Sequence, residues 1–292
     1  MSGDRQTGRG PGKVVVVTGA GSGIGRALAI GLARRGARLA ICDVDGPGLE
    51  ITRLRTEALG APAVVATVDV AERMSVAAFA TQVAEHYGVV HQVYNNAGVA
   101  GGRRLLDDSY DGIERVLRIN LWGVVYGTKE FLPHLIASGD GHLVNISSVN
   151  GFLAQPGLTS YCAAKFAVRG FTETVRAEML ADGLPVKVTV VHPGGVRTNI
   201  ATAAFEHARE EGEALGTRDE QRMDFYNEKL LRMEPADAAE IILTGVAAGR
   251  PRILVGASAR RLDRLTRLLP AAGPAITAWF DRHIAATEER GD

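Results

Sequence analysis

The chain has 292 residues, 46% apolar and 23% charged, a balance that supports a packed core and argues against disorder. Lys plus Arg and Asp plus Glu are 33 each, and zero net charge argues against a general nucleic-acid binder, whose phosphate contacts need a basic surplus. Cys42 and Cys162 are the only cysteines, which gives neither a disulfide framework nor metal-ligand spacing, so no metal is expected. No apolar run reaches the ~20 residues of a membrane span, and the opening MSGDRQTGRGPGK has no apolar signal region. These features point to a cytoplasmic enzyme or binding domain.

Residues 1–12 are Gly-rich and polar and are expected to be a disordered leader. Val14 to Val17 is a continuous β-branched run, the pattern of a strand buried on both faces. A Gly-rich turn follows, then a helix over about Gly23 to Arg35, closed by Gly36. Strands are expected at Arg38–Asp43, Ala63–Val68 and Val89–Tyr94, and helices over 48–59 and 72–87. The second half predicts one long helix from about Tyr110 to Ile136, a strand His142–Ser147, a helix over 160–181 and a strand Val186–Val191. Residues 200–232 read as mobile helices, followed by a helix Ala236–Ala248 and a last strand Arg252–Val255. Regular alternation of strands and helices means βαβ units with right-handed crossovers. The expected fold is α/β, a doubly wound Rossmann-type parallel sheet spanning 13–257 as one domain. Residues 258–292 form an amphipathic C-terminal extension.

The turn after the first strand is Thr18-Gly19-Ala20-Gly21-Ser22-Gly23-Ile24-Gly25. Glycines there let the backbone approach a pyrophosphate, whose charge rests on the following helix N-terminus. The pattern is T-G-x-x-x-G-x-G, because Ile24 occupies the place of the last glycine in G-x-G-x-x-G. Asp43, ending the second strand, either accepts both ribose hydroxyls of an adenosine or caps a turn with Asp45 and Gly46. Tyr161 and Lys165 lie i, i+4 on one helix face. A lysine cation about 5 Å away would stabilise a phenolate by ~3 kcal/mol, or ~2 pKa units. The alternative is a packed tyrosine beside a solvated lysine. Ser147 and Ser148 end a strand at the carboxyl edge, where open α/β sheets bind ligands.

With these motifs the chain resembles the short-chain dehydrogenase/reductase family over most of residues 13–200. The resemblance rests on Thr18–Gly25, Asn95-Asn96-Ala97-Gly98, Asn120, Ser148, Tyr161-Cys162-Ala163-Ala164-Lys165 and Pro193-Gly194-Gly195-Val196-Arg197-Thr198, in matching order and spacing. It implies an NAD(P)-dependent oxidoreductase acting on a secondary alcohol or ketone. Tyr161 would be the general acid/base, and Lys165 would lower its pKa and hold the nicotinamide ribose. Ser148, chosen over Ser147 by the family spacing, would bind the reacting oxygen. Asn120 would help hold a proton-relaying water. Gly19, Gly21, Ser22, Gly23, Ile24 and Gly25 would cradle the cofactor, with Asp69 and Val70 at the adenine and Asn96, Ala97 and Gly98 bracing its adenosine side. Pro193, Gly194, Val196 and Thr198 would position the carboxamide. Asp43, with Ser22 rather than a basic residue nearby, implies NAD rather than NADP. Rival readings are an NADP-dependent carbonyl reductase and a non-catalytic nucleotide-binding sensor.

The family's substrate lid would fall at about 199–232, where Phe205, His207, Met223, Phe225 and Tyr226 suit an apolar substrate. Phe152, Gln155 and His192 are expected at the substrate pocket's border, His192 without a catalytic part. In the extension, Leu262, Leu265, Leu268 and Leu269 make one stripe among Arg260, Arg261, Arg264 and Arg267. The stripe is expected to dock on the domain or on a second subunit, with peripheral membrane contact as the alternative. A homodimer or homotetramer is expected.

Overall fold

The structure is a computed structural model that describes residues 12–101, 103–198 and 231–288. Residues 199–230 of the expected lid, including its five aromatic, histidine and methionine residues, lie outside the described residues, as does most of the leader. Seven strands form one parallel sheet: β1 (Val14–Thr18), β2 (Arg38–Asp43), β3 (Ala63–Thr67), β4 (Gln92–Asn95), β5 (Gly141–Ile146), β6 (Val186–Pro193) and β7 (Arg252–Val255). Their order is β3-β2-β1-β4-β5-β6-β7. The order reverses between β1 and β4, and open α/β sheets bind ligands in the crevice beyond the carboxyl ends of strands at such a point.

Strand periodicity of two divides the core. Val15 and Val17 face a layer built on α1 (Gly23–Arg34), α2 (Gly46–Glu57) and α7 (Pro235–Ala247), with Leu28, Leu49 and Ile242 fully enclosed. Val16 faces the opposite layer of α3 (Arg73–Tyr87), α5 (Gly123–Ala137) and α6 (Thr159–Ala181), where Phe79 and Phe131 meet edge to face at 6.1 Å. Both faces are covered, which is why the strands read as continuous apolar runs.

The expected long helix over Tyr110–Ile136 is interrupted. It divides into α4 (Tyr110–Leu117), a π turn (Arg118–Trp122) and α5. The extra residue per turn rotates Asn120 into full burial. Apolar periodicity is blind to such a break, because the pattern persists on either side.

The C-terminal extension forms α8 (Ala257–Leu268) and α9 (Gly273–Glu288). Within one chain the leucine stripe does not dock as a whole on the domain: Leu268 is 79% exposed and Leu269 53%, while Leu262 and Leu265 are half-buried. The buried face of α8 carries Ala259 and Asp263 instead. Asp263 accepts from Arg252 on β7 at 2.6 Å and from Arg267 at 3.1 Å. On α9, Asp281 accepts from Arg104, in the loop after β4, at 2.7 Å. A partly buried carboxylate thus anchors α8, and leaving its arginine without a partner costs about 3–5 kcal/mol. Truncation after Gly256 should therefore lower Tm by roughly 6–20 °C, at 2–4 °C per kcal/mol. An unchanged thermal transition in the truncated chain would refute that anchoring. Among the described residues no helix is long and apolar enough to cross a membrane.

Candidate active site

The loop after β1 is held from three sides. Gly19 takes a positive φ of 66°, and a Cβ on Gly25 would sit 1.9 Å from the Gly19 carbonyl oxygen and 2.5 Å from Asn96 Nδ2. Only glycine permits that approach, so the fixed spacing of these two residues is a steric requirement. Asn96 Nδ2 donates to the Thr18 and Gly19 carbonyls at 2.9 and 3.2 Å, and the backbone N–H groups of Asn96 and Ala97 both donate to Thr18 Oγ1 at 3.0 Å. The β4 motif therefore clamps the β1 loop.

Asp43 lies beside the loop. Its Oδ2 accepts from the Gly21 N–H at 2.7 Å and its Oδ1 from the Asp45 N–H at 3.0 Å. These bonds leave lone pairs on both oxygens for further donors. The turn-bracing reading of Asp43 is the one these bonds show, and the carboxylate keeps acceptor capacity at the β2 end. Arg38 is at the opposite end of β2, with its guanidinium 5.5 Å over the Tyr87 ring. Sequence reasoning passed over Arg26. Its guanidinium donates to the Gly21 carbonyl, to Gly48 O at 3.1 Å and to Thr52 Oγ1 at 3.0 Å, tying α2 to the loop. No spacing signal marks such an arginine.

Ser22 caps α1 without a side-chain hydrogen bond, so the α1 N-terminal amides face the loop's concave side uncovered by that side chain. Ile24 packs on the core beneath. Thr198 arrives from β6, with Cγ2 3.1 Å from where a Gly23 Cβ would be. Gly194 N–H donates to Val255 O at 3.1 Å, and Val196 is buried and bridges to Met233. Val70 is buried against Gly123, and exposed Asp69 accepts from the Ala71 N–H at 2.9 Å. Asp43 at Gly21, Asn96 at Gly19 and Gly25, and Thr198 at Gly23 therefore adjoin the glycine loop at the carboxyl edge of the sheet. The cradle of amides and close glycines fits a dinucleotide pyrophosphate.

Four chemistry-bearing side chains converge next to it. Ser148 is buried, and its Oγ accepts from the Asn150 N–H at 3.1 Å. The Ser148 hydroxyl also hydrogen-bonds the Tyr161 phenol. Ser147 faces away, donating to the Lys165 carbonyl at 2.8 Å. Lys165 Nζ lies 5.6 Å from the Tyr161 ring centre and donates to Ile146 O at 3.2 Å. Asn120 clamps Val99, donating to its carbonyl at 2.9 Å and accepting from its N–H at 3.3 Å. A Cβ on Gly98 would meet Asn120 Oδ1 at 2.6 Å and Lys165 Nζ at 3.5 Å, so both border the space above that glycine. The Asn120 amide expected to hold a water is largely committed to Val99.

Sequence reasoning also missed a buried polar chain beneath the site. Asn95 donates to Asn145 at 2.9 Å, Asn145 to Thr172 at 3.0 Å, and Thr172 to Val168 O at 2.6 Å. It pins the ends of β4 and β5 to α6, the helix that carries Tyr161 and Lys165. His192 is fully buried, and its Nδ1–H donates to the Ser148 carbonyl at 2.7 Å. Burial pulls His192 down to about 4, so it is neutral and structural.

One electrostatic expectation is corrected. Burial pushes the Tyr161 phenol up, offset in part by the Ser148 hydrogen bond, whereas a lowered value was expected from Lys165. Burial also lowers Lys165 to about 8, because the same dry surroundings penalise both charged forms. Protonated Lys165 therefore costs the fold about 3 kcal/mol near neutrality. The unfolded chain holds that proton up to its ordinary pKa, and the folded chain releases it near 8. Wild-type stability should rise with pH across that window. Lys165→Met should gain about 1–2 kcal/mol at pH 7 after losing the bond to Ile146 O, with the gain vanishing near pH ~9 and reversing above it, where neutral Lys165 keeps that bond. Equal denaturation curves at pH 7, or a gain independent of pH, would contradict this cost.

The model of the short chain dehydrogenase family matches residues 13–209. SadH of Mycobacterium tuberculosis, named as an oxidoreductase, is 49% identical over 267 residues, 91% of this chain and 94% of SadH. Epidermal retinol dehydrogenase 2 of Mus musculus is 40% identical over 191 residues, 65% of this chain and 62% of its own length. A crystal structure of a short chain dehydrogenase/reductase from Burkholderia phymatum in complex with NAD is 34% identical, with a TM-score of 0.81 over 88% of this chain and 93% of that one. The chain belongs to the short-chain dehydrogenase/reductase family and is an NAD(P)-dependent oxidoreductase acting on CH–OH groups.

Proposed function

We propose that this chain moves a hydride between NAD and the carbinol carbon of an apolar secondary alcohol or its ketone, with Ser148, Tyr161, Lys165 and Asn120 as its catalytic set. The observation that carries the reading is the hydrogen-bonded pair of Ser148 and Tyr161, with Lys165 Nζ 5.6 Å from the Tyr161 ring, beside the glycine-loop crevice. NAD bound there supplies the hydride acceptor. The Ser148 hydroxyl orients the substrate oxygen, and Tyr161 takes or gives the proton on that oxygen. Lys165 offers the phenolate its cation as the reaction develops, which offsets the burial cost on both groups. Asn120 keeps the Val99 backbone and the space over Gly98 in place. Asp43 selects the unphosphorylated ribose. The carbonyls and amides of Pro193, Gly194, Val196 and Thr198 flank the nicotinamide end, and Val70 with Asp69 borders the adenine.

An oligomer belongs to the same proposal. Trp122 and Phe166 are exposed large side chains on the π turn and α6, and packing them against a second subunit would cover them. The test is reduced-cofactor formation across secondary alcohols, sterols and polyols, with ketones in the reverse direction. Saturable turnover on at least one secondary alcohol is expected, and inertness to the whole panel in both directions would sink the reading.

A further inference from the structure

Behind the turn that carries Ser148 lies a cavity of about 280 Å³. Phe152 forms one wall, and Arg169 from α6, Arg252 from β7 and Arg267 from α8 form the others. Asp263 is the single acid lining it, and it serves two of the three guanidiniums, at 2.6 and 3.1 Å. Arg169 pairs with Glu173, outside the lining set, at 3.0 Å. With Glu173 counted, three cations face two anions, so one positive charge is left over. Arg252 is the most enclosed of the three, with its side chain 17% exposed. Its Nε is buried and has no partner among the described residues. Burial chiefly pulls the Arg252 pKa below the ordinary guanidinium value, with the Arg169 and Arg267 cations adding to it and the Asp263 and Glu173 carboxylates opposing it. Excess positive charge held this way in a structured concavity is costly unless an anion completes it.

We infer that this cavity binds a phosphate-type oxyanion through Arg169, Arg252 and Arg267. Guanidiniums from three different elements converge on one space, and each offers a planar fork that matches phosphate oxygens. None of Ser148, Tyr161 and Lys165 lines the cavity. Phe152 links the two sites: its ring meets His192 edge-on at 5.1 Å, and His192 holds the Ser148 carbonyl. The oxyanion is either a free phosphate monoester or a lipid headgroup. In the second case exposed Leu268 and Leu269, directly after Arg267, would enter the acyl boundary.

The test uses the full chain with Arg169→Gln and Arg267→Gln, two partly exposed positions that leave the Arg252–Asp263 pair intact. Inorganic phosphate and glycerol phosphate are titrated calorimetrically at constant ionic strength. Sedimentation with phosphatidylcholine vesicles is compared with and without phosphatidylglycerol. Saturable phosphate binding that each substitution weakens about tenfold establishes the site for a free anion. Binding only to the phosphatidylglycerol vesicles, with the same loss in both variants, establishes it for a headgroup. No saturable binding to either probe, or binding that both variants retain within a factor of two, overturns the inference. Phosphate held at the α1 N-terminus alone would give that last result.

Discussion

Tyr161→Phe should reduce turnover by at least the ~100-fold that loss of a general acid/base costs. The substitution removes one oxygen and keeps the ring that packs beside Lys165, so fold and stability should hold. It frees the Ser148 hydroxyl from its phenol partner without disturbing the Asn150 N–H bond that caps the turn. Cofactor affinity should change little, because the glycine loop and Asp43 are remote from the phenol's proton. KM for a good substrate should also move less than kcat, since the lost interaction is a proton transfer rather than ground-state binding. Steady-state kinetics with direct titration of NADH separate these effects. Near-wild-type turnover in Tyr161→Phe would refute the proton-transfer role.

Asp43→Ala should largely erase the preference for NAD over NADP. Each charge-assisted hydrogen bond from a ribose hydroxyl to the carboxylate contributes ~1.5–3 kcal/mol net. A 2′-phosphate would lose those bonds and meet a like charge. A few kcal/mol gives wild type a preference of ~100-fold or more, since each 1.4 kcal/mol is tenfold. Arg38 cannot offset this from the other end of β2, and Arg26 is tied to two carbonyls and Thr52. The shift in Asp43→Ala should come chiefly from weaker NAD use, partly because Gly21 N–H and Asp45 N–H lose their acceptor. Comparing kcat/KM for both cofactors on one substrate decides it. Equal use of NAD and NADP by wild type would overturn the assignment.

The strand and helix alternation was legible because each strand is buried on both faces and each helix on one, so period and run length report burial directly. The glycine loop was legible for a steric reason, the approach of Gly25 to the Gly19 carbonyl. Four features were not legible. The π turn at Arg118–Trp122 changes hydrogen-bond register without changing the apolar pattern. The leucines of α8 followed a helical stripe, yet its buried face is set by the ion pair of Arg252 and Asp263, a contact with no periodic signature. The direction of the Tyr161 shift depends on how dry its surroundings are, and an i, i+4 spacing to a lysine carries no information about burial. The chain of Asn95, Asn145 and Thr172 joins residues far apart in sequence and is visible only once β4, β5 and α6 are adjacent.

The most direct test of the central claim follows the hydride itself. A secondary alcohol that turns over is prepared with deuterium on its carbinol carbon and oxidised in ordinary water with NAD. The reduced cofactor is then examined by NMR or mass spectrometry. Direct transfer predicts one deuterium on the nicotinamide ring per ketone formed and a slower rate for the labelled alcohol. Reduced cofactor without the label, or ketone formed without reduced cofactor, would contradict the account.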